Sequence, residues 1–372
     1  MTQAFHTYRE IRQQPRVWRE AYDRICAGKA EIAAFLDRFL SEGYQIILTG
    51  AGTSAYIGDA LEHALAGTRL SGARALATTD ILTAPELYFD KSSRVLLISF
   101  ARSGNSPESV GAVRAVEQTA ESVAHIFITC NPEGQLARMQ GGNILTLLLP
   151  PDTNDLSLAM TSSYSTMLLV CSLIAHIDAI EAQKEAIETL AAAVQKMLDR
   201  YEPALQEIAS RPFKRAVFLG SGALKGVAEE GRLKLQELTD GAVMCAFDSF
   251  LGFRHGPKAV VHPDTLMVYF VSDEEKVQRY ERDLVRQVTA GNSLVGSVIV
   301  CQRRPDLPSE CADVCVELGL PEGFPACYGC VSYVVTAQLL GYFKSIDCGL
   351  SPDSPSVSGN ISRVVEGVTL YI

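Results

Sequence analysis

The chain has 372 residues, 47% hydrophobic and 20% charged, with a formal net charge of −10. That length and apolar content suit two domains with sizeable cores. The acidic balance argues against nucleic acid as a partner, which needs clustered Lys and Arg, and any bound anion must be held by a local device.

The start, MTQAFHTYREIRQQPRVWRE, is polar and lacks an apolar signal core. Residues 1–44 read as an added helical segment. A first domain, 45–195, opens with QIILTGAGTSAYIGDALEHAL from Gln45, an apolar strand followed by a Gly-x-Gly turn and a helix. VLLISFA from Val95 is a second strand and runs into the turn ARSGNSPES. AHIFITC from Ala124 and ILTLLLP from Ile144 complete the strands of this half. The most apolar helical run, TMLLVCSLIAHIDAI, is interrupted by His176 and Asp178 and is too short for a bilayer span. A cytoplasmic protein without membrane contact is expected.

A helix around QKMLDRYEPALQEIASRP leads into a second domain, 196–372, where the pattern returns at an offset near 170 residues. RAVFLGSGALKGVAEEGRLKL from Arg215 matches the segment from Gln45, with Gly220 and Gly222 on Gly50 and Gly52. LMVYFVS from Leu266 matches VLLISFA, GSVIVCQ from Gly296 matches AHIFITC, and VCVELGL from Val314 matches ILTLLLP. Continuous apolar strands alternating with helices predict an α/β fold of two tandem, doubly wound parallel sheets. Ligands of such sheets sit beyond the carboxyl ends of the strands.

At that edge the first half offers Thr53, Ser54, Ser103 and Ser106, with Arg102 beside them and Pro107 placed to start a helix. Hydroxyls, free helix N–H groups and a guanidinium together would bind a phosphate. The matching turn of the second half, VSDEEKVQRY, carries Asp273, Glu274 and Glu275 and would repel one. One phosphorylated ligand per chain is therefore expected. Neither Gly-x-Gly turn has the spacing of a dinucleotide fingerprint or a P-loop.

For chemistry, Glu230, Lys234 and Glu237 share one face of the helix after Gly222. Such a face is often solvated, but Leu233 and Leu238 mark a packed helix, and a partly desolvated Glu there could act as a general base. His255, in FLGFRHGPKAVV, lies in a glycine-rich cationic loop. No Ser or Cys nucleophile with a recognised elbow accompanies these residues. Of the ten cysteines, Cys311, Cys315, Cys327 and Cys330 could be read as a zinc set. Their strand-like and apolar-helix settings favour buried reduced thiols, so no metal is expected.

With these residues in place the chain resembles tandem sugar-isomerase (SIS) domains, such as the isomerase half of glucosamine-6-phosphate synthase. The resemblance runs through YREIRQQP, GTS, RSGNS, EEGRLKLQE and RHGP; SFARSGNSPES and RVVEGVTLY resemble more closely the AgaS-type galactosamine-6-phosphate deaminase/isomerases. It implies two flavodoxin-like, three-layer domains and a phosphate held by Thr53, Ser54, Ser103 and Ser106. It also implies a catalytic Glu237 with Lys234 and a ring-opening His255 supplied by the partner of a homodimer. Ser162 joins Arg102 as a candidate substrate-binding residue. Two positions depart from the synthase: Ala101 and Arg102 replace its Ser and Gln, and Glu366 stands where its Schiff-base Lys would be. A carboxylate forms no imine. With no amidotransferase domain in the sequence, the resemblance implies deamination of galactosamine 6-phosphate to tagatose 6-phosphate without a cofactor. The rivals are a glucosamine-6-phosphate deaminase, an aldose–ketose isomerase acting on hexose 6-phosphates, and a non-catalytic sugar-phosphate sensor.

Overall fold

A computed structural model of the chain describes residues 5–291, 293–365 and 367–371. The N-terminal segment is helical: α1 (His6–Arg12), α2 (Gln14–Ala27) and α3 (Lys29–Ser41). In α2 the residues Val17, Trp18, Ala21, Tyr22 and Ile25 recur at helical spacing and form its buried face. The tail caps α1, since Asp353 accepts from the backbone N–H groups of His6 (2.9 Å) and Thr7 (2.8 Å).

The first domain follows in the order β1 (Gln45–Thr49), α4 (Thr53–Ala64), β2 (Arg74–Ala75), α5 (Thr78–Thr83), β3 (Arg94–Ala101), α6 (Pro107–Thr119) and β4 (Ser122–Thr129). It continues with α7 (Gln135–Arg138), β5 (Ile144–Leu148) and α8 (Ser162–Ala175). A long helix, α9 (Lys184–Ala209), crosses to the second domain, so the boundary expected at 195/196 falls within a helix. The second domain comprises β6 (Arg215–Gly220), α10 (Ala223–Leu238), β7 (Met244–Asp248), β8 (Thr265–Val271), α11 (Glu275–Gly291), β9 (Gly296–Cys301), β10 (Val314–Glu317) and α12 (Ala326–Asp347).

Each domain holds a five-stranded parallel sheet, ordered β2-β1-β3-β4-β5 in the first and β10-β9-β8-β6-β7 in the second. Read from the other end, the second order is the first one repeated, which is the internal duplication seen in three dimensions. The register corrects one detail of the sequence match. Gln45 pairs with Val95 and Arg215 with Thr265, so the counterpart of Val95 is Thr265, one residue before Leu266. Carried forward at that spacing, Asp273 stands where Ser103 stands in the first domain.

The two helices that follow the Gly-x-Gly turns, α4 and α10, pack against each other across the domains. Gly52 and Gly222 precede them at φ +54° and +57°, a backbone region that favours glycine. Near the middle of the contact Gly226 lies so close to α4 that a Cβ would come within 2.4 Å of the Ala60 nitrogen. The longest apolar helix is α12 rather than the run in α8. By length and composition α12 could cross a membrane, but 94% of its apolar window is buried inside the protein.

Candidate active site

The turn after β3 has the local structure its residues predict. Ser106 caps α6: its hydroxyl accepts from the Ser109 N–H (3.4 Å) and donates to the Ser109 hydroxyl (2.7 Å), and Pro107 takes the first helical position. Ser103 accepts from the Asn105 N–H at 3.3 Å, and its carbonyl is held by the Asn131 side-chain amide at 3.0 Å. Ser54 lies at the start of α4, and its hydroxyl has no hydrogen-bond partner among the described residues. These three hydroxyls and two helix N-termini share the carboxyl edge of the first sheet, a setting suited to an oxyanion.

Thr53 has another partner. The Lys234 ammonium, arriving from α10 of the other domain, donates to the Thr53 hydroxyl at 3.0 Å. It also lies 2.7 Å from Glu237 Oε2 and 3.3 Å from Glu230 Oε1. The three charges share a helix face as expected, but the face is closed: Lys234 and Glu230 side chains are 1% and 0% exposed, while Glu237 is 22% exposed. Only the Glu237 carboxylate can be reached by a ligand. Burial pushes the Glu230 carboxyl up to about 8, with Lys234 opposing and Glu237 adding to the shift. For Lys234 burial works against the ammonium, yet the two carboxylates outweigh it and raise its pKa above the ordinary value. Burial thus favours the protonated form of Glu230, while the Lys234 ammonium is held against Glu237.

Two predicted ligands are placed otherwise. Arg102 is buried, and its terminal nitrogens donate to the backbone carbonyls of Ser157 (3.3 Å), Leu158 (3.0 Å) and Arg363. Its donors serve the 154–158 loop and the C-terminal tail, so Arg102 positions the tail rather than presenting a fork to phosphate. Ser162 is fully buried and donates to Asp155 Oδ1 at 2.5 Å while accepting from Gln13 at 3.0 Å. It belongs to the cap of α8 and is closed to a ligand.

The residue behind that cap, Asp155, escaped the sequence reading. Buried at 1% exposure, it also accepts from the Thr161 N–H (2.8 Å), the Ser163 N–H (2.9 Å) and the Ser163 hydroxyl (2.6 Å). Its signal was the Thr-Ser-Ser run just before an apolar helix, which is a capping pattern. Arg363 also went unnoticed. Its guanidinium holds Asp155 O (2.9 Å) and Asn154 Oδ1 (3.0 Å), which lays the tail across the first domain. Glu366, singled out in the tail, lies outside the described residues.

His255 is exposed, in the loop between β7 and β8, next to Arg254, whose guanidinium donates to Gln287 Oε1 toward the end of α11 at 2.8 Å. Glu237 sits at the far end of α10, and the ends of that helix lie roughly 20 Å apart. Among the described residues no hydrogen bond or ion pair joins His255 to Glu237, whose partner is Lys234. The four candidate cysteines do not gather either: Cys315 lies 3.8 Å from Cys301, and Cys330 donates to the Cys327 carbonyl. Among the described residues no three His, Cys, Asp or Glu side chains form a metal-binding group.

The family model of the SIS domain matches residues 39–177. A Streptomyces coelicolor protein provisionally named D-galactosamine-6-phosphate deaminase AgaS is 41% identical, over 99% of this chain and 96% of its own. The D-galactosamine-6-phosphate deaminase AgaS of a Shewanella species is 37% identical, over 99% of this chain and 92% of its own. Among solved structures, the tagatose-6-phosphate ketose/aldose isomerase of Escherichia coli superimposes with a TM-score of 0.91 at 34% identity, covering 99% of this chain and 97% of its own.

Proposed function

The chain belongs to the SIS domain family, in the branch of the D-galactosamine-6-phosphate deaminases AgaS, and on that premise we propose that it converts galactosamine 6-phosphate and water to tagatose 6-phosphate and ammonia. The observation that carries the reading is the Lys234–Glu237 pair at 2.7 Å, delivered by one domain to the hydroxyl-lined edge of the other. Ser54, Ser103 and Ser106 hold the 6-phosphate, so binding energy from a non-reacting group orients the reacting carbons. Glu237 takes the C2 proton of the open-chain sugar, giving an enolamine, and a proton returned to C1 gives the ketose imine. Water adds to C2 and ammonia leaves. Lys234 fixes the direction of the Glu237 side chain, and each proton has a side-chain carrier, so no cofactor is called for.

His255 fits this scheme as a ring-opening acid supplied in trans. It is exposed and, among the described residues, has no hydrogen bond or ion pair with the chain's own Glu237, which supports a homodimer with shared sites. A cytoplasmic setting agrees with ten described cysteines that are all free of disulfides.

Ammonia release from galactosamine 6-phosphate tests the reaction. Glu237→Gln should lower kcat by roughly 100-fold or more while KM stays near that of the native chain. An unimpaired variant would remove Glu237 from the role of base. A second reading, aldose–ketose isomerisation without deamination, is favoured by the likeness to the E. coli isomerase. It predicts turnover of tagatose 6-phosphate and no ammonia from the amino sugar.

A further inference from the structure

The duplication that builds the first edge builds a second one. At the carboxyl end of the second sheet lies a cavity of about 770 Å3, walled by the turns after β6, β8 and β9 and by the start of α12. The other domain closes one side with His63 and Ala64 from the end of α4, as α10 supplies Lys234 and Glu237 to the first site. The volume suits a ligand the size of a monosaccharide.

Position by position, the machinery of the first edge is gone. Matching Gly52 with Gly222 puts Ala223 and Leu224 where Thr53 and Ser54 stand, and Ala64 where Lys234 stands. The strand register puts Asp273 in place of Ser103. This edge offers neither a phosphate grip nor an acid–base pair, so it is built to bind and not to isomerise.

What it offers is hydrogen-bond acceptors. Four carboxylates, Asp273, Glu274, Glu275 and Glu322, line it against one guanidinium, Arg303, which is paired with Asp273 (2.9 Å) and Glu322 (3.2 Å). Glu275 is paired with Arg282 at 3.0 Å, whereas Glu274 has no ion partner among the described residues. A separate observation points to an occupant: Gln302 lines the cavity, is only 8% exposed, and its side-chain oxygen has no hydrogen-bond partner. A buried acceptor left unmet is costly, and a ligand donor would meet it. Phe324 adds an apolar wall.

We infer that this second edge binds a small polyhydroxylated amine, an unphosphorylated amino sugar by chemical class. Its ammonium pairs with Glu274, a hydroxyl donates to Gln302, and its apolar face lies on Phe324. The inference stands independently of the reaction at the first edge. Titration calorimetry with D-galactosamine on the full chain tests it, with D-galactose as the uncharged control. Saturable binding is expected in the native chain and in Ser103→Ala, weakened about tenfold or more in Glu274→Gln and in Gln302→Met, and weaker for D-galactose throughout. Absence of saturable binding, equal affinity for D-galactose, loss in Ser103→Ala, or unchanged affinity in both second-edge variants would overturn it.

Discussion

At the scale of single residues, the chemistry turns on how three charges share a closed space. Glu230 is the informative one, because its carboxyl is shifted from an ordinary 4.5 to about 8 by burial. Between those values the folded chain holds a proton that the unfolded chain has released, so stability falls as pH rises through that window. Glu281, pushed up to about 7 by burial, acts in the same direction. Glu230→Gln mimics the protonated form, and denaturant unfolding at several pH values should show a shallower decline than in the native chain, with Glu281, Glu10, Asp59 and Glu229, all raised by burial, contributing to what remains. An unchanged slope would mean that Glu230 is ionised in the fold. The helix-face spacing of Glu230, Lys234 and Glu237 was legible in the sequence. The closure of that face was not, because α4 covers it from a domain some 170 residues away in the chain.

Elements combine two duties at the first edge. Ser106 caps α6 and, in the proposed reaction, also offers its hydroxyl to the phosphate, so Ser106→Ala should cost about 1 kcal/mol of stability without ligand and also raise KM. A change in stability with KM unaltered would leave Ser106 a cap only. The α4–α10 contact is narrower in its tolerance. Gly226→Ala places a Cβ against the backbone of Ala60, so the helices must part, costing about 1–3 kcal/mol. Because Lys234 and Thr53 meet across the same contact, thermal unfolding and ammonia release should decline together in that variant. Helix starts were readable from Pro107 and the Gly-x-Gly turns, whose backbone demands are local. The role of Arg102 was not, since its partner, the Arg363 carbonyl, reaches it through a tertiary contact, whereas the Asp155 that holds Ser162 is only seven residues away.

For the whole molecule, no hydrogen bond or ion pair among the described residues joins the exposed His255 to the buried Lys234 or its partner Glu237. If sites are shared between two copies, mixing Glu237→Gln with His255→Asn restores one intact site in each mixed dimer. Random exchange of subunits should then recover about a quarter of native ammonia release from two inactive parents. No recovery after verified subunit exchange would place both residues of a site on the same chain. The duplication also explains why one chain carries one catalytic edge. The Gly-x-Gly turns and parallel sheets are common to both halves, whereas the positions of Thr53, Ser54 and Ser103 are taken by Ala223, Leu224 and Asp273 in the second.

The sequence by itself determined the two α/β repeats, their strand order along the chain, the hydroxyl turn, the acidic counterpart and the charged helix face. Each depends on periodicity, glycine geometry or residue type within a few neighbours, which a linear reading captures. Only the tertiary structure decided that Thr53 serves Lys234, that Arg102 and Arg363 fasten the tail, and that the second edge keeps a cavity. Those outcomes depend on which helix closes over which sheet edge. Burial then sets which polar groups must find a partner inside the fold and which remain open to a ligand.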